Sequence, residues 1–174
     1  LFAGAFPAGA IGYWKFDETS GTTAADSSGN GNAGVRGAGA TFTAGNVDGA
    51  YHFDGTSSAD VSVPNSALLD LGGNAVSMAL WVKPVNDAGD DVLLSKGGVT
   101  TTHQYAIEID QNGGEAFQCF LDVNRMVRSA TIASFGVWQH VACVYDGATY
   151  RIYINGVLDA SASVVGSITQ STNA

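Results

Sequence analysis

Short runs in which apolar and polar residues alternate recur along the chain. In VSMALWVK (76–83), every second residue from Val76 to Val82 is apolar, and YAIEID (105–110) alternates in the same way. Because the side chains of a strand point to opposite faces in turn, each run predicts a β-strand with one buried face. No segment shows sustained helical periodicity with caps, and residues 67–71 form one helical turn at most.

Glycine-containing turns stand between neighbouring runs. Asn112-Gly113-Gly114 follows the run at 105–110, and Asp146-Gly147 is a second such turn. Turns of this kind between strands predict β-hairpins. The other runs with strand character are 11–17, 50–53, 59–63, 116–123, 138–146 and 149–155. Many short, closely spaced strands predict an all-β fold of two packed antiparallel sheets, a sandwich or jelly roll.

Composition agrees with this fold class. The chain has 174 residues, enough for one domain with a substantial core, and 45% of them are hydrophobic. Charged residues make up only 13%, about half the usual share for globular proteins. The 23 glycines are typical of many short strands joined by tight turns.

Net charge limits the partners. The formal net charge is −9 with only 7 Lys and Arg residues, so the chain cannot build the basic face that nucleic-acid binding needs. Anionic lipid is disfavoured for the same reason, and no apolar run is long enough for membrane insertion. The acidic surplus suits cations, neutral sugars or basic protein surfaces, although it also serves solubility alone.

The first ten residues differ from the rest. Residues 1–10 read LFAGAFPAGA and are uncharged, small and apolar, without the basic start of a signal peptide. Since the chain starts at Leu1 rather than Met, we expect a processed or excerpted chain. The predicted organisation is an extended apolar N-terminal segment at 1–10 and one domain at 11–174.

Two cysteines lie within apolar runs. Cys119 is in FQCFLDV and Cys143 is in HVACVYD. The interpretation we favour is two buried thiols that act as small core residues. The alternative is one disulfide, as in proteins of oxidising compartments. No CxxC motif exists, so neither a zinc site nor a redox pair is indicated.

Several motifs follow one another in a fixed order. They are YWKFDETSGTTAADSSGNGNAG (13–34), FDG (53–55) with a Val-x-Val-Pro that ends at Pro64, SMALWVKP (77–84), LLSKGG (93–98), WQHVACVYDG (138–147) and YRIYINGVL (150–158). In this order they resemble bacterial laminin G-like (LamG-like) jelly-roll domains of the concanavalin A-like lectin/glucanase superfamily. The resemblance implies a two-sheet antiparallel jelly roll in a secreted or cell-surface protein.

The end of the chain departs from that family. Such domains continue with an Ile-Gly turn and a last strand beside the first one, whereas this chain ends at STNA (171–174). The resemblance therefore implies a fold without its last strand, either because the chain is a fragment or because the strand comes from elsewhere. An extended segment of a neighbour can fill such a gap by strand addition, and residues 1–10 are the candidate.

One loop carries oxygen side chains at alternate positions. Asp26, Ser28 and Asn30, followed by a glycine, match the first half of an EF-hand calcium loop. Gly37 stands where the bidentate glutamate would be, so this is no EF-hand. The resemblance implies a structural calcium. The alternative is an Asx-turn loop that needs no metal. The candidate ligands are Asp26, Ser28, Asn30, Asn32 and Asp17.

Catalysis is not predicted. Glu108 and Asp110 match part of the E-x-D-x-E strand of glucanases in this superfamily, in which two carboxylates share one face, but Asn112 occupies the third position. His140 has no nucleophile motif nearby and is interpreted as structural.

Two functions remain open. The first is an extracellular, non-catalytic binding or adhesion module for carbohydrate or a surface protein, stabilised by calcium. The second is a structural subunit of an extracellular filament or surface layer, assembled by strand donation between copies through residues 1–10. Sugar binding needs exposed aromatic rings, yet most of those available occupy positions that resemble core in the family. The rings are Trp14, Trp81, Trp138, Tyr105, Tyr145 and Tyr153.

Overall fold

The described part of the protein is built entirely of strands, turns and loops. The computed structural model describes residues 9–86, 89–97, 103–110, 114–122 and 125–169. Within these ranges no residue is helical. The chain divides into two compact units, Leu1–Leu69 and Asp70–Asn173, each of which is described by itself.

Thirteen strands lie in the described ranges. The first unit contains β1 (Thr23–Ala24), β2 (Gly34–Arg36), β3 (Ala40–Ala44), β4 (Gly49–Phe53) and β5 (Val61–Ser62). The second unit contains β6 (Val76–Val82), β7 (Asp90–Gly97), β8 (His103–Asp110), β9 (Ala116–Leu121), β10 (Arg125–Ile132), β11 (Gln139–Tyr145), β12 (Thr149–Ile154) and β13 (Val157–Ser163).

The first unit has small sheets and a small core. Strands β1, β2 and β5 form one antiparallel sheet, and β3 and β4 form a hairpin. The buried apolar side chains of its core are Ala24, Ala40 and Tyr51. The strand predicted at 11–17 is wrong, because only Trp14 forms an isolated bridge. Phe16 has a φ of 61°, in the left-handed region, which interrupts an extended strand.

The second unit contains two four-stranded antiparallel sheets. Sheet A has the order β10-β9-β8-β7, and sheet B has the order β13-β12-β11-β6. Inward side chains of both sheets form one core cluster. On β8 the inward residues are Tyr105, Ile107 and Ile109, which confirms the predicted alternation. The unit is thus a sandwich in which β6, β8, β9, β11 and β12 lie where the sequence predicts strands.

A disulfide joins the two sheets through this core. Cys119 on β9 and Cys143 on β11 are both completely buried, and their Cα atoms are 6.0 Å apart. The interpretation as two free thiols is wrong. Both residues take inward positions on central strands of facing sheets, and this brings together two side chains that are 24 residues apart in sequence.

One carboxylate connects the edges of the two sheets. Asp159 on β13 accepts hydrogen bonds from the backbone N–H of Ala130 (2.6 Å) and of Thr131 (3.1 Å), both on β10. The Thr131 hydroxyl donates to the same carboxylate. Burial tends to raise the pKa of Asp159, but these hydrogen bonds lower it below its usual value. The carboxylate therefore stays charged and occupies donors of an edge strand.

Three predictions concern residues outside the described ranges. They concern the turn at Asn112-Gly113, the end of the chain at STNA and most of the segment 1–10. The absent last strand and strand donation therefore stay predictions. The domain boundary after Ala10 also stays a prediction.

Candidate functional site

The carboxylate of Asp26 is surrounded by hydrogen-bond donors. Its Oδ1 accepts the backbone N–H of Tyr13 (3.0 Å) and of Ser28 (2.9 Å). Its Oδ2 accepts the Ser28 hydroxyl (2.8 Å) and the backbone N–H of Asn32 (2.9 Å). Burial tends to raise the pKa of Asp26, but these bonds prevail and lower it to about 2. Asp26 thus closes its own loop as an ionised acceptor.

The other side chains of this loop fasten the segment that precedes it. The side-chain amides of Asn30 and Asn32 donate to the carbonyl of Ile11, and the Ser28 hydroxyl oxygen lies 3.1 Å from the same carbonyl. The remaining amide oxygen of Asn32 accepts the Ser66 hydroxyl at 2.7 Å. These residues therefore act together as an Asx-turn anchor for the chain around Ile11.

Four of the five predicted calcium ligands, Asp26, Ser28, Asn30 and Asn32, lie together in this loop, and calcium binding there stays a prediction. All four acceptor positions of the Asp26 carboxylate face donors, and the amides of Asn30 and Asn32 present N–H groups to Ile11. Asp17 is engaged elsewhere, with the backbone N–H of Gly49 (3.2 Å) and the Lys15 ammonium (3.8 Å). Among the described residues, no three His, Cys, Asp or Glu side chains are grouped to hold a metal.

The outward side of sheet A carries mutually bonded polar side chains. Asp110 accepts the side-chain amide of Gln118 (2.9 Å) and pairs with Arg128 (3.2 Å). Glu108, Gln118 and Arg128 occupy one row across three strands. We call Glu108, Asp110, Gln118 and Arg128 the polar face. Both carboxylates of the partial glucanase motif lie here, and Asp110 is held by an amide and a guanidinium.

The outward side of sheet B is different because it presents an exposed indole. Trp81 on β6 is 47% exposed. The ring of His140, its direct cross-strand neighbour, stands edge-on to it with the two ring centroids 5.3 Å apart. Since directly opposite residues of antiparallel strands share a face, these two side chains form one end of an outward surface.

Small residues continue this surface toward a second aromatic ring. Ala79 lies opposite Ala142, which in turn lies opposite Tyr153, and Tyr153 lies opposite Leu158. Ala79 is exposed, Ala142 and Tyr153 are half-buried, and Leu158 is 53% exposed. We call Trp81, His140, Ala79, Ala142, Tyr153 and Leu158 the aromatic face. Alanines between two rings leave a low floor on which a flat molecule can lie.

The backbone of His140 is held by two hydrogen bonds to Asn155. Its backbone N–H donates to the side-chain oxygen of Asn155 (2.9 Å), and its carbonyl accepts the backbone N–H of Asn155 (2.8 Å). Burial lowers the pKa of the imidazole below its usual value, which favours the neutral form at neutral pH. The aromatic face therefore combines an imidazole that favours its neutral form with an exposed indole.

The remaining aromatic candidates are less accessible. Tyr105 and Tyr145 are buried in the core of the second unit, and Trp138 is half-buried. Trp14 is half-buried too, and its indole N–H donates to the carbonyl of Asn32 at 2.7 Å. Among the six rings considered in the sequence, Trp81 is the exposed one. In VSMALWVK, Trp81 falls between the alternating apolar residues that begin with Val76, which predicts that its side chain points to the opposite, outward face. This alternation is the signal that could have identified it.

No helical segment in the described ranges has the length and hydropathy needed to cross a bilayer. No curated protein matches the chain significantly. Several solved structures do resemble it.

The binding domain of Paraclostridial Mosquitocidal Protein 1 superposes with a TM-score of 0.66 at 14% identity, covering 85% of this chain and 39% of that one. Domain 4 of AbnA, a GH43 extracellular arabinanase from Geobacillus stearothermophilus, in complex with arabinotriose, has a TM-score of 0.65 at 18% identity, covering 94% and 79%. An S-layer domain-containing protein from Clostridium thermocellum has a TM-score of 0.54 at 20% identity, covering 87% and 71%.

At these identities the likeness establishes the fold, and it agrees with the predicted all-β jelly-roll sandwich. The family profile Laminin_G_3 matches residues 53–174, well over half of the chain. This range includes every strand of the second unit and the cysteines of its disulfide. The resemblance inferred from the ordered motifs is thereby confirmed. The chain belongs to the Laminin_G_3 family of the concanavalin A-like lectin/glucanases superfamily.

Proposed function

We propose that this domain is an extracellular, non-catalytic carbohydrate-binding module and that sugar binds at the aromatic face. The observation that carries the proposal is the 47% exposed indole of Trp81 beside a floor of alanines. Burying a large exposed ring against a ligand gains free energy, and a rigid ring loses little conformational entropy when it does so. The C–H face of a sugar ring suits this surface.

The way in which the indole is held supports binding. His140 stands edge-on to Trp81, so part of the ring is supported by the protein while the rest faces solvent. A side chain positioned before the ligand arrives reduces the ordering cost of association. Trp81 is therefore suited to act as the anchor of the site.

The comparisons support a binding function without identifying the ligand. The superfamily is named for lectins and glucanases, and one structure of similar fold is an arabinanase domain in complex with arabinotriose. Another is the binding domain of a mosquitocidal protein. Since one fold hosts many functions, these likenesses favour a binding module and leave its ligand to be determined from the surface itself.

The state of the polar face supports the non-catalytic part of the proposal. Glycosidases need two carboxylates that flank the bond to be cleaved. Here Asp110 is held by Gln118 and Arg128. The other carboxylate, Glu108, lies two residues away on the same strand. An extracellular location is supported by the buried disulfide between Cys119 and Cys143, because such bonds persist in oxidising compartments.

The test is sugar binding by Trp81→Ala, measured by calorimetry with soluble oligosaccharides that include arabinotriose. We expect affinity to fall at least about tenfold, which corresponds to the loss of one stacked ring. The control is Phe53→Ala, because Phe53 is 43% exposed on β4 in the other unit. Unchanged binding by Trp81→Ala, or an equal loss in the control, would contradict the proposal.

A second proposal is self-assembly by donation of residues 1–10 to a neighbouring copy. It is supported by the uncharged, apolar sequence LFAGAFPAGA and by the known ability of extended segments to add to sheet edges. Light scattering of the full chain and of a variant that lacks residues 1–10 tests it. Polymers of the full chain that are absent in the deletion variant would favour assembly. If the full chain and the variant are both monomeric, assembly is excluded.

A further inference from the structure

The spacing of the two rings on the aromatic face sets a ligand length. Trp81 lies on β6 and Tyr153 on β12, with β11 between them. Two inter-strand steps of about 4.8 Å, together with a two-residue step of about 7 Å along the strand, separate their Cα atoms by about 12 Å. A six-membered ring built from bonds of about 1.5 Å, with its exocyclic oxygens, is about 5 Å across. With their Cα atoms this far apart, the two side chains are placed to contact different units of an oligosaccharide.

The chemistry between the two rings sets the ligand charge. The floor consists of Ala79 and Ala142, and neither row of the aromatic face contains a charged side chain. Arg151, in the next row, is paired with Asp146 at 2.6 Å. With a net charge of −9, the chain as a whole repels anions. The two rows of the aromatic face themselves offer no charged partner to uronic or sulfated sugars.

We infer that the ligand of the aromatic face is a neutral oligosaccharide of about three or more units, which bridges Trp81 and Tyr153 across the alanine floor. This inference rests on the proposed function. Trp81 anchors one sugar unit, and Tyr153 contacts a unit further along the chain through its ring and its hydroxyl. Short sugars occupy only the Trp81 end.

The test is calorimetry with a length series from a neutral monosaccharide to a trisaccharide, together with an oligogalacturonide trimer as the acidic counterpart. We expect the neutral trimer to bind at least about tenfold more tightly than the monosaccharide and than the acidic trimer. Tyr153→Ala should reduce the affinity for the trimer to near that for the monosaccharide. It should leave monosaccharide binding unchanged, whereas Trp81→Ala should weaken both.

A second variant covers the case in which Tyr153→Ala does not fold. Ala142→Leu keeps both rings and raises the floor between them, so it should weaken trimer binding while monosaccharide binding persists. Equal affinity for monosaccharide and trimer, or for neutral and acidic trimers, would overturn the inference and leave the proposed function intact. Failure of every sugar to bind would instead refute the proposed function and this inference with it.

Discussion

The two outward faces of the second unit are made by the same kind of sheet and yet differ in how their side chains are engaged. On the polar face, Asp110 binds both Gln118 and Arg128. On the aromatic face, nearly half of the Trp81 surface remains open to solvent. The polar side chains of the polar face bond to one another, whereas the largest ring of the aromatic face is exposed to solvent. This difference is why we propose the aromatic face, rather than the polar face, as the ligand-binding surface.

The largest expected effect comes from removing the disulfide that links the two sheets. Replacing Cys119 and Cys143 together by Ala should lower the free energy of unfolding by about 3 kcal/mol, since the disulfide closes a loop of 24 residues in the unfolded chain. Urea denaturation of the oxidised protein and of the double variant measures this loss. Equal stability of the two proteins would show that the bond does not form in solution.

A smaller effect should follow from a change in the first unit, which tests whether the aromatic face is independent of it. Asp26→Ala removes the acceptor of four hydrogen bonds and should lower stability by about 2 kcal/mol, with sugar affinity unchanged. Because the pKa of Asp26 is lowered to about 2, its contribution is complete above pH 4 and is lost as the pH falls toward 2.

Thermal melting of the wild type and of Asp26→Ala at pH 7 and at pH 2.5 checks the sign of this effect. The difference between the two melting temperatures should shrink in acid. Adding calcium or a chelator should leave both melting temperatures unchanged. A rise with calcium in the wild type alone would instead support the predicted metal site at this loop.

A direct comparison of the faces comes from Asp110→Asn on the polar face. Loss of the pair with Arg128 should lower stability by about 1 kcal/mol or less, because Arg128 is about a third exposed and solvent screens the pair. Oligosaccharide affinity should not change. A loss of sugar binding in this variant, with Trp81→Ala still binding, would move the site to the polar face.

The smallest effect is the titration of His140. Since burial lowers the pKa of its imidazole, the unfolded chain takes up a proton more readily than the folded one. Stability should therefore fall slightly as the pH drops below about 6.5, and it should level off below the folded pKa. His140→Gln should lack this component in urea denaturation at pH 7 and at pH 5. If stability falls equally between pH 7 and pH 5 in the wild type and in His140→Gln, another titrating group causes the fall.

The sequence predicted those strands whose alternation is regular. The runs at 76–83 and 105–110 place apolar residues on one face throughout, and both are strands of the second unit. The run at 11–17 is equally rich in aromatic residues but fails, because the positive φ of Phe16 is a property of the folded backbone that alternation does not encode. Strand β10 was not predicted, and its pairing with β9 is interrupted by a register shift.

The site was only partly predictable. Alternation alone puts Trp81 outside the core, but the family-like positions of the rings led to a core interpretation. The disulfide depends on which two sheets face each other, so the spacing of Cys119 and Cys143 carries no signal for it. The oxygen-rich spacing around Asp26 predicts a calcium loop, and the same residues also satisfy backbone donors, so spacing alone does not separate the two interpretations.

The Asp159 carboxylate affects how readily one edge of the sandwich can aggregate with other chains. An edge strand with free N–H groups is a template on which other chains can add and grow into fibrils. Two such groups on β10 are already bound by a negatively charged side chain from the other sheet. A chain approaching along this edge would have to displace that charge and leave it without its partners. Asp159 therefore works as a gatekeeper against aggregation along this edge.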